Sequence, residues 1–507
     1  MNSGLRRKKS STISLREKWV AIALIPAIMA PPWFLGGMRW WQQLIFLALA
    51  IPPFVLCFVR FRDEQSANRD QKGSESAFRR LFGFPPFWLT LLFLVYISIG
   101  ALNYSWEYVL LDDGAKWQMQ KLSVDQYIHW LPNGVKAVFA KMDAWRVVIV
   151  YATGLLLVCS VWLGIERRRT LWFLVGIVSL NAFLVALLTI LQDLSGTKLI
   201  YWSFKSANPQ FAGPFQYRNH GGAYMYLGLA SSAACAIYHW KRGSSWERKS
   251  NPAVLFLFFS FIIIIGLLFA GSRGGILFGG GIAAVATVLF LGTSFLSGRQ
   301  GLIALGTVSF TSIVLVWFAK PYLQRAWPEL EKRIEQTGDQ LSDVGLDGKT
   351  ALDKRFLATH ATIDMWKAKP WFGWGAGSFR WIFPKFQFEY PYLFYVPRSL
   401  DRSKKDPNLS PRYQAFYNTH NDWAQFPAEY GMIGCGILLS CLGYWVLRSL
   451  RYIVDMNVEI IIVLVGGVAL FIHSFLDFLL YNPPVMLCVT ILITLGGAQL
   501  GMKNRRC

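Results

Sequence analysis

Asn418-Thr419-His420-Asn421-Asp422-Trp423-Ala424-Gln425-Phe426-Pro427-Ala428-Glu429-Tyr430-Gly431-Met432-Ile433-Gly434 ends a long hydrophilic segment in a polar run and passes directly into an apolar one. Lipid offers no partner for backbone N–H and C=O groups, so an apolar run of about 20 residues crosses a bilayer as a helix. His420 therefore stands at a membrane surface. An imidazole titrates near neutral pH and suits proton abstraction. The same position also suits a helix cap, an interfacial side chain or a loop hydrogen-bonder.

Outward from that stretch the chain repeats the pattern. Of its 507 residues 54% are hydrophobic and 16% charged, and apolar runs recur at 19–35, 40–59, 86–104, 145–165, 171–192, 221–240, 252–271, 275–297, 301–318, 424–447, 458–476 and 482–500. The expected fold is all-α, a polytopic transmembrane bundle of about 12 spans with a large, partly helical periplasmic loop. The period-2 alternation of a membrane β-barrel is missing. Four regions follow: N-terminal spans with an external segment at 105–144 (1–200), a transmembrane region carrying arginine motifs (201–318), the large loop (319–423) and C-terminal spans (424–507).

A net charge of +22 would suggest nucleic acid in a soluble protein. Here the basic residues cluster in short segments on one side: Arg6–Lys18, Arg60–Arg80, Arg167–Arg169, Lys241–Lys249, Arg299, Arg448–Arg451 and Lys503–Arg506. The positive-inside tendency makes that side cytoplasmic, with both termini inside, and predicts no nucleic-acid partner. The seven cysteines form no CxxC pair or Cys/His cluster, so neither a disulfide framework nor a zinc site is expected.

The outer segments are then 105–144, 193–220 and 319–423. In the first, Trp106, Tyr108, Trp117, Tyr127 and Trp130 read as an interfacial aromatic belt rather than a sugar-stacking platform, and Asp112-Asp113 as a loop carboxylate pair. From Ala351 to Lys369, Phe356, Ile363 and Trp366 recur at helical spacing and Pro370 ends the run, predicting an amphipathic external helix. Gly373-Trp374-Gly375-Ala376-Gly377 looks like a phosphate-cradling loop, yet no strand precedes it, and a tight turn is the better reading.

Two outer-face arginines carry chemistry. Arg218 lies in Gln216-Tyr217-Arg218-Asn219-His220 before a span, and Arg273 in Gly271-Ser272-Arg273-Gly274-Gly275 between two. Each alone reads equally as a snorkelling anchor. Both oppose the positive-inside tendency and stand beside glycines, which fits an anion site, and a lipid pyrophosphate is the anion expected at that depth. Among other polar residues, Asn421 is placed to orient the imidazole, and Glu429 to pair with an arginine or cap a neighbouring helix. Arg355 is placed to touch a phosphate or solvate its helix, and His220 to contact ligand or cap. His473 and Asp477, four apart, read as one helix face and a mutual pair. His129 and His360 read as loop surface.

From about Phe211 to Pro484 the chain resembles the bacterial O-antigen ligase and polymerase family. The matching motifs are Arg218-Asn219-His220, Ser272-Arg273-Gly274, Arg355 followed by Pro370-Trp371-Phe372-Gly373-Trp374-Gly375, His420-Asn421 with Gly431 and Gly434, and His473-Ser474-Phe475-Leu476-Asp477. Residues 1–200 resemble it only as helices. The resemblance implies an inverting, metal-independent membrane glycosyltransferase without cofactor, acting at the periplasmic face of the bacterial inner membrane. Its donor would be an undecaprenyl-pyrophosphate-linked glycan and its acceptor lipid A-core or a growing glycan, in contact with membrane lipids. His420 would be the base, Arg218 and Arg273 would hold the pyrophosphate, and Asn219, His220, Asn421, Arg355 and Glu429 would support them. The external segment 105–144 and the basic insert Arg398–Lys405 depart from the family pattern. The alternative is a transporter or flippase of lipid-linked glycan. Carriers place ionisable groups deep in the hydrocarbon, whereas the charged candidates here gather at the outer edge.

Overall fold

A computed structural model describes residues 13–61, 73–110, 117–206, 208, 210–242, 251–295, 351–390, 393 and 415–503. The proposed span at 301–318, Asp112-Asp113 and the basic insert at 398–405 lie outside them.

In chain order the helices are α1 (Leu15–Trp33), α2 (Trp40–Leu56), α3 (Gly73–Phe82), α4 (Pro85–Leu102), α5 (Ala144–Gly164), α6 (Arg168–Leu194), α7 (Arg218–Arg242), α8 (Ala253–Ala270) and α9 (Arg273–Phe295). They continue with α10 (Ala351–Ala368), α11 (Phe379–Gln387), α12 (Asp422–Arg451), α13 (Val458–His473) and α14 (Pro483–Lys503). Seven of the described helices, α4, α5, α6, α8, α9, α12 and α14, are long and apolar enough to cross a membrane. α2 and α13 are apolar but shorter; α1 and α7 lie over the proposed spans 19–35 and 221–240. Local chemistry sets the ends. Ser14 Oγ accepts from Glu17 N–H to start α1, Asp143 accepts from Trp145 N–H to start α5, and Gly271, at φ +59°, closes α8 in the left-handed region.

The main core lies among α1, α2, α5 to α9, α13 and α14, around buried Leu24, Leu157, Val185, Tyr224, Tyr226 and Leu492. Small residues let the helices close up: a Cβ on Gly228 would fall 1.9 Å from that of Ala182. A second core lies apart from the first, where Leu357, Ala358, Ala361 and Met365 of α10 pack with Trp374, Phe379, Phe383 and Ala428. That buried stripe differs from the expected one. Phe356 is 38% exposed and Ile363 and Trp366 are half-buried, because the alanines, not the large side chains, permit close packing against α12.

The all-α expectation needs correcting at two small sheets. β1 (Tyr104–Leu110) is central to a three-stranded sheet, antiparallel to β2 (Trp117–Lys121) and parallel to β3 (Gly134–Lys136), and β4 (Leu199–Ile200) pairs with β5 (Phe204–Lys205). In β1, Tyr104, Trp106 and Tyr108 alternate with Ser105 and Glu107 onto one face, where Lys136, Lys385 and Lys141 respectively lie over the rings. The alternation is visible in Tyr104-Ser105-Trp106-Glu107-Tyr108 itself.

α12 is interrupted at Gly431, which adopts φ +63° and ψ −174°. An unbroken helix would join Met432 N–H to Ala428 C=O and Ile433 N–H to Glu429 C=O. Instead Met432 and Ile433 donate to Pro370 and Trp371 at 2.8 and 3.2 Å, while Ala428 and Glu429 accept from Trp374 and Gly375 at 3.0 and 2.8 Å. The Tyr96 hydroxyl of α4 donates toward the Tyr430 and Phe372 carbonyls beside the break. The glycine-rich stretch is thus a turn inserted into a helix. Gly373, Gly375 and Gly377 all have positive φ, and a Cβ on Gly431 would lie 2.3 Å from the Trp371 oxygen.

Candidate active site

His420 immediately precedes α12 and adopts φ +60°, a left-handed conformation that costs a non-glycine residue about 1–3 kcal/mol. The next residue, Asn421, caps the helix by accepting from Ala424 N–H at 3.2 Å. Asn421 therefore fixes where the chain turns; its side chain serves the helix end.

The imidazole is aimed by Asp477. Nδ1 of His420 lies 3.0 Å from Asp477 Oδ1, and the carboxylate is fully buried while 24% of the imidazole is exposed. Oδ1 also accepts from Phe478 N–H at 2.9 Å; Oδ2 accepts from the Tyr217 hydroxyl at 3.2 Å and from Asn219 Nδ2, and Arg355 Nη2 stands 3.8 Å away. Burial alone would raise this carboxyl, but the Arg355 guanidinium and the hydrogen bond from His420 outweigh it and hold it below the usual carboxylate range. An ionised carboxylate only accepts, so Nδ1 carries the proton and Nε2 presents a lone pair. Phe478 meets the ring edge-on with centroids 4.8 Å apart, further fixing its plane.

The other candidates distribute around this pair. Asn219, on the first turn of α7, reaches Asp477 with Nδ2 and accepts from Ser272 Oγ at 2.8 Å through Oδ1. Ser272 Oγ in turn accepts from Gly275 N–H at 3.1 Å, capping α9. Arg218 and Arg273 are the chain neighbours of Asn219 and Ser272, so each arginine begins a helix one residue from the network that ends on His420. Both are half-buried. Arg218 lines a polar cavity of about 190 Å³ together with Gln192, Asp193, Gln210 and Gly271.

Arg355 donates to the Leu476 carbonyl at 2.8 Å and to the Tyr217 hydroxyl at 3.2 Å, tying α10 to the Asp477 turn. His220 is 3% exposed, and its Nε2 lies 3.2 Å from the Phe478 carbonyl, so it braces the same turn from below. Glu429 stands apart from this group. Its oxygens accept from Gly377 N–H (3.1 Å), Phe379 N–H (2.9 Å) and the Tyr481 hydroxyl (2.9 Å), which caps α11 and holds the inserted turn. His129 and His360 are exposed, His360 on α10 rather than a loop.

The expected pairing of His473 with Asp477 does not form. α13 ends at His473, so the four-residue spacing no longer sets one face. His473 Nδ1 meets the Tyr226 hydroxyl at 3.3 Å and packs where a Cβ on Gly274 would lie 2.0 Å from its Nε2. Asp477 and Tyr217 are thus the members sequence reasoning missed. The available signal was a lone carboxylate in Phe475-Leu476-Asp477-Phe478, a short turn between two apolar runs. Among the described residues no group of three or more His, Cys, Asp or Glu is arranged to hold a metal ion.

No curated protein matches the chain. The O-antigen ligase family model matches residues 258–439, a narrower stretch than the motif resemblance and one that carries Arg273, Arg355, His420 and Glu429 while leaving Arg218, Asn219 and Asp477 outside. Over those residues the chain is similar to the O-antigen ligase family.

Proposed function

We propose that this protein transfers a glycan from an undecaprenyl-pyrophosphate donor to an acceptor hydroxyl at the periplasmic face of the inner membrane, with inversion and without metal. The observation that carries the reading is the His420–Asp477 pair, 3.0 Å apart at the entrance to α12. Nε2 of His420 takes the acceptor O–H proton as that oxygen attacks the anomeric carbon from the face opposite the pyrophosphate. The new C–O bond forms while the bond to the leaving phosphate oxygen breaks, and the electron pair departs with undecaprenyl pyrophosphate. Positioned general-base assistance of this type contributes about 10²–10⁴ in rate. Asp477 stabilises the imidazolium that results. Guanidinium groups at Arg218 and Arg273, next to the helix starts of α7 and α9, suit the charge that develops on the leaving group. Lipid A-core and a growing glycan chain both offer the required hydroxyl.

The test is transfer by purified full-length protein from lipid-linked glycan to separate candidate acceptors, in EDTA, with products resolved by size. Transfer by the wild type with loss in His420→Ala, donor binding retained, is the expected result. A single step would identify ligation and a ladder polymerisation. Undiminished transfer by His420→Ala would remove the base, and no transfer with any acceptor would favour transport of the lipid-linked glycan.

A further inference from the structure

His420 is the strained member of its pair, and its chain neighbours are fixed on both sides. After it, Asn421 caps α12 and Asp422 N–H donates to the Ser474 carbonyl at 2.9 Å. Before it, Thr419 is fully buried and held twice. Its N–H donates to Gln425 Oε1 at 3.0 Å, and its hydroxyl lies 2.7 Å from that of Thr362 on α10 and 3.2 Å from the Ala358 carbonyl. The Thr362 hydroxyl reaches the same carbonyl at 2.6 Å, and both Ala358 and Thr362 are fully buried. A left-handed φ on a non-glycine residue persists only where its surroundings over-determine it, and these contacts do so here.

α10 also holds the other partner. Arg355 lies seven residues before Thr362, two turns along the same face, and it donates to the Leu476 carbonyl and the Tyr217 hydroxyl beside Asp477. One helix thus reaches both the residue before the imidazole and the turn that carries the carboxylate, which are otherwise joined only through a long stretch of chain. A threonine bonding back to the carbonyl four residues earlier is common in helices and shows only that Thr362 is satisfied. Its contact with Thr419 is the informative one. Valine at either position would fill the same space, so packing does not require the two hydroxyls. What they add is a directional link between α10 and the backbone of His420.

We propose that Thr362 and Thr419 are positioning residues: their hydroxyl pair fixes the backbone of His420 to α10 while Arg355 fixes the turn of Asp477. The 3.0 Å contact between imidazole and carboxylate is then held in register by this one helix. The consequence for transfer rests on His420 being the base; the geometric claim does not.

The experiment uses purified full-length protein carrying isotopically labelled histidine, with ring-nitrogen chemical shifts recorded by NMR while the imidazole is neutral. The chain has six histidines, and the signals of His420 are identified by their absence in His420→Ala. The hydrogen bond to Asp477 sets the Nδ1–H tautomer, so that tautomer reports the pair without any turnover. Single-turnover transfer at saturating donor, donor affinity and melting temperature are measured alongside. Thr362→Val and Thr419→Val each leave the remaining hydroxyl with the Ala358 carbonyl for its proton, so both should fold. Expected in both are a mixed tautomer and transfer slower by about tenfold to a hundredfold at unchanged donor affinity, the scale of a misplacement of about 1 Å. Thr362→Ser should keep wild-type values, and the double valine variant should be no slower than Thr419→Val alone. Thr359→Val, whose hydroxyl donates to the Arg355 carbonyl of its own helix at 2.9 Å, should match wild type. A folded Thr419→Val that keeps the wild-type tautomer overturns the clasp, as does a wild type that lacks the Nδ1–H tautomer. A mixed tautomer with undiminished transfer would leave the clasp standing and remove His420 as the base.

Discussion

Replacing Asp477 by asparagine tests the active-site geometry most directly. The change keeps the volume and a hydrogen-bonding group against His420 Nδ1 and removes one buried negative charge. Two unit charges about 4 Å apart interact by roughly 4 kcal/mol at an effective dielectric of 20. Here the separation is 3.0 Å, but a quarter of the imidazole meets solvent and the amide oxygen still accepts, both of which reduce the loss. The stabilisation of the imidazolium forgone is therefore about 2–3 kcal/mol, a fall of roughly 30- to 150-fold in the transfer step. The assay is single-turnover transfer with donor saturating, alongside donor affinity and melting temperature. Donor affinity should hold, because Asp477 acts on the base. Arg355→Gln is the companion variant: it removes the carboxylate's counter-charge without touching His420, so its rate loss should be the smaller of the two. A folded Asp477→Asn with wild-type transfer rate would refute the argument, as would equal rate losses in both variants that track their melting temperatures. Since the folded carboxyl is held below its usual range, its contribution to stability is fully present above about pH 4 and is lost only as pH falls through the depressed value.

Three other outcomes follow from the same contacts. Gly431→Ala places a methyl 2.3 Å from the Trp371 oxygen and should lower folded yield severely, whereas Gly436→Ala, with nothing within 4 Å, should be near neutral by thermal melting in detergent. Glu429→Gln leaves two main-chain N–H groups short of an anionic acceptor and should destabilise the protein by about 1–3 kcal/mol, seen as earlier proteolysis within 370–390. Arg273→Lys keeps the charge but loses the planar fork, and should cut transfer strongly at normal protein level; full activity would take Arg273 out of the anion site.

Much of the framework was legible because a helix in lipid needs only an apolar run. Every expected span except 301–318 falls on a described helix, and His420 stands where the polar run ends. Its partner was hidden because Asp477 was read as a continuation of the helix through His473, so the spacing pointed to the wrong pair. Helix α13 stops at Ser474, and no pattern in Ser474-Phe475-Leu476 announces it. The strand that holds Trp106 and Tyr108 is hard to read for a different reason. A strand of seven residues gives few periods to count, and aromatics at an interface have a ready alternative explanation. The role of Gly373-Trp374-Gly375 was illegible in principle, since its partners are main-chain atoms more than fifty residues away.

That inserted turn bears on the order in which the chain is assembled. α12 threaded into a bilayer by itself would close as an unbroken helix, joining the Met432 and Ile433 amides to the Ala428 and Glu429 carbonyls, so the break at Gly431 has to be imposed from outside the segment. Residues 370–375, whose main chain takes over those four groups, are synthesised first, and the break needs them folded back against the segment. The inserted turn is in that sense a template for the helix that follows it, and a chain from which residues 370–377 are deleted should yield an α12 that runs straight through Gly431.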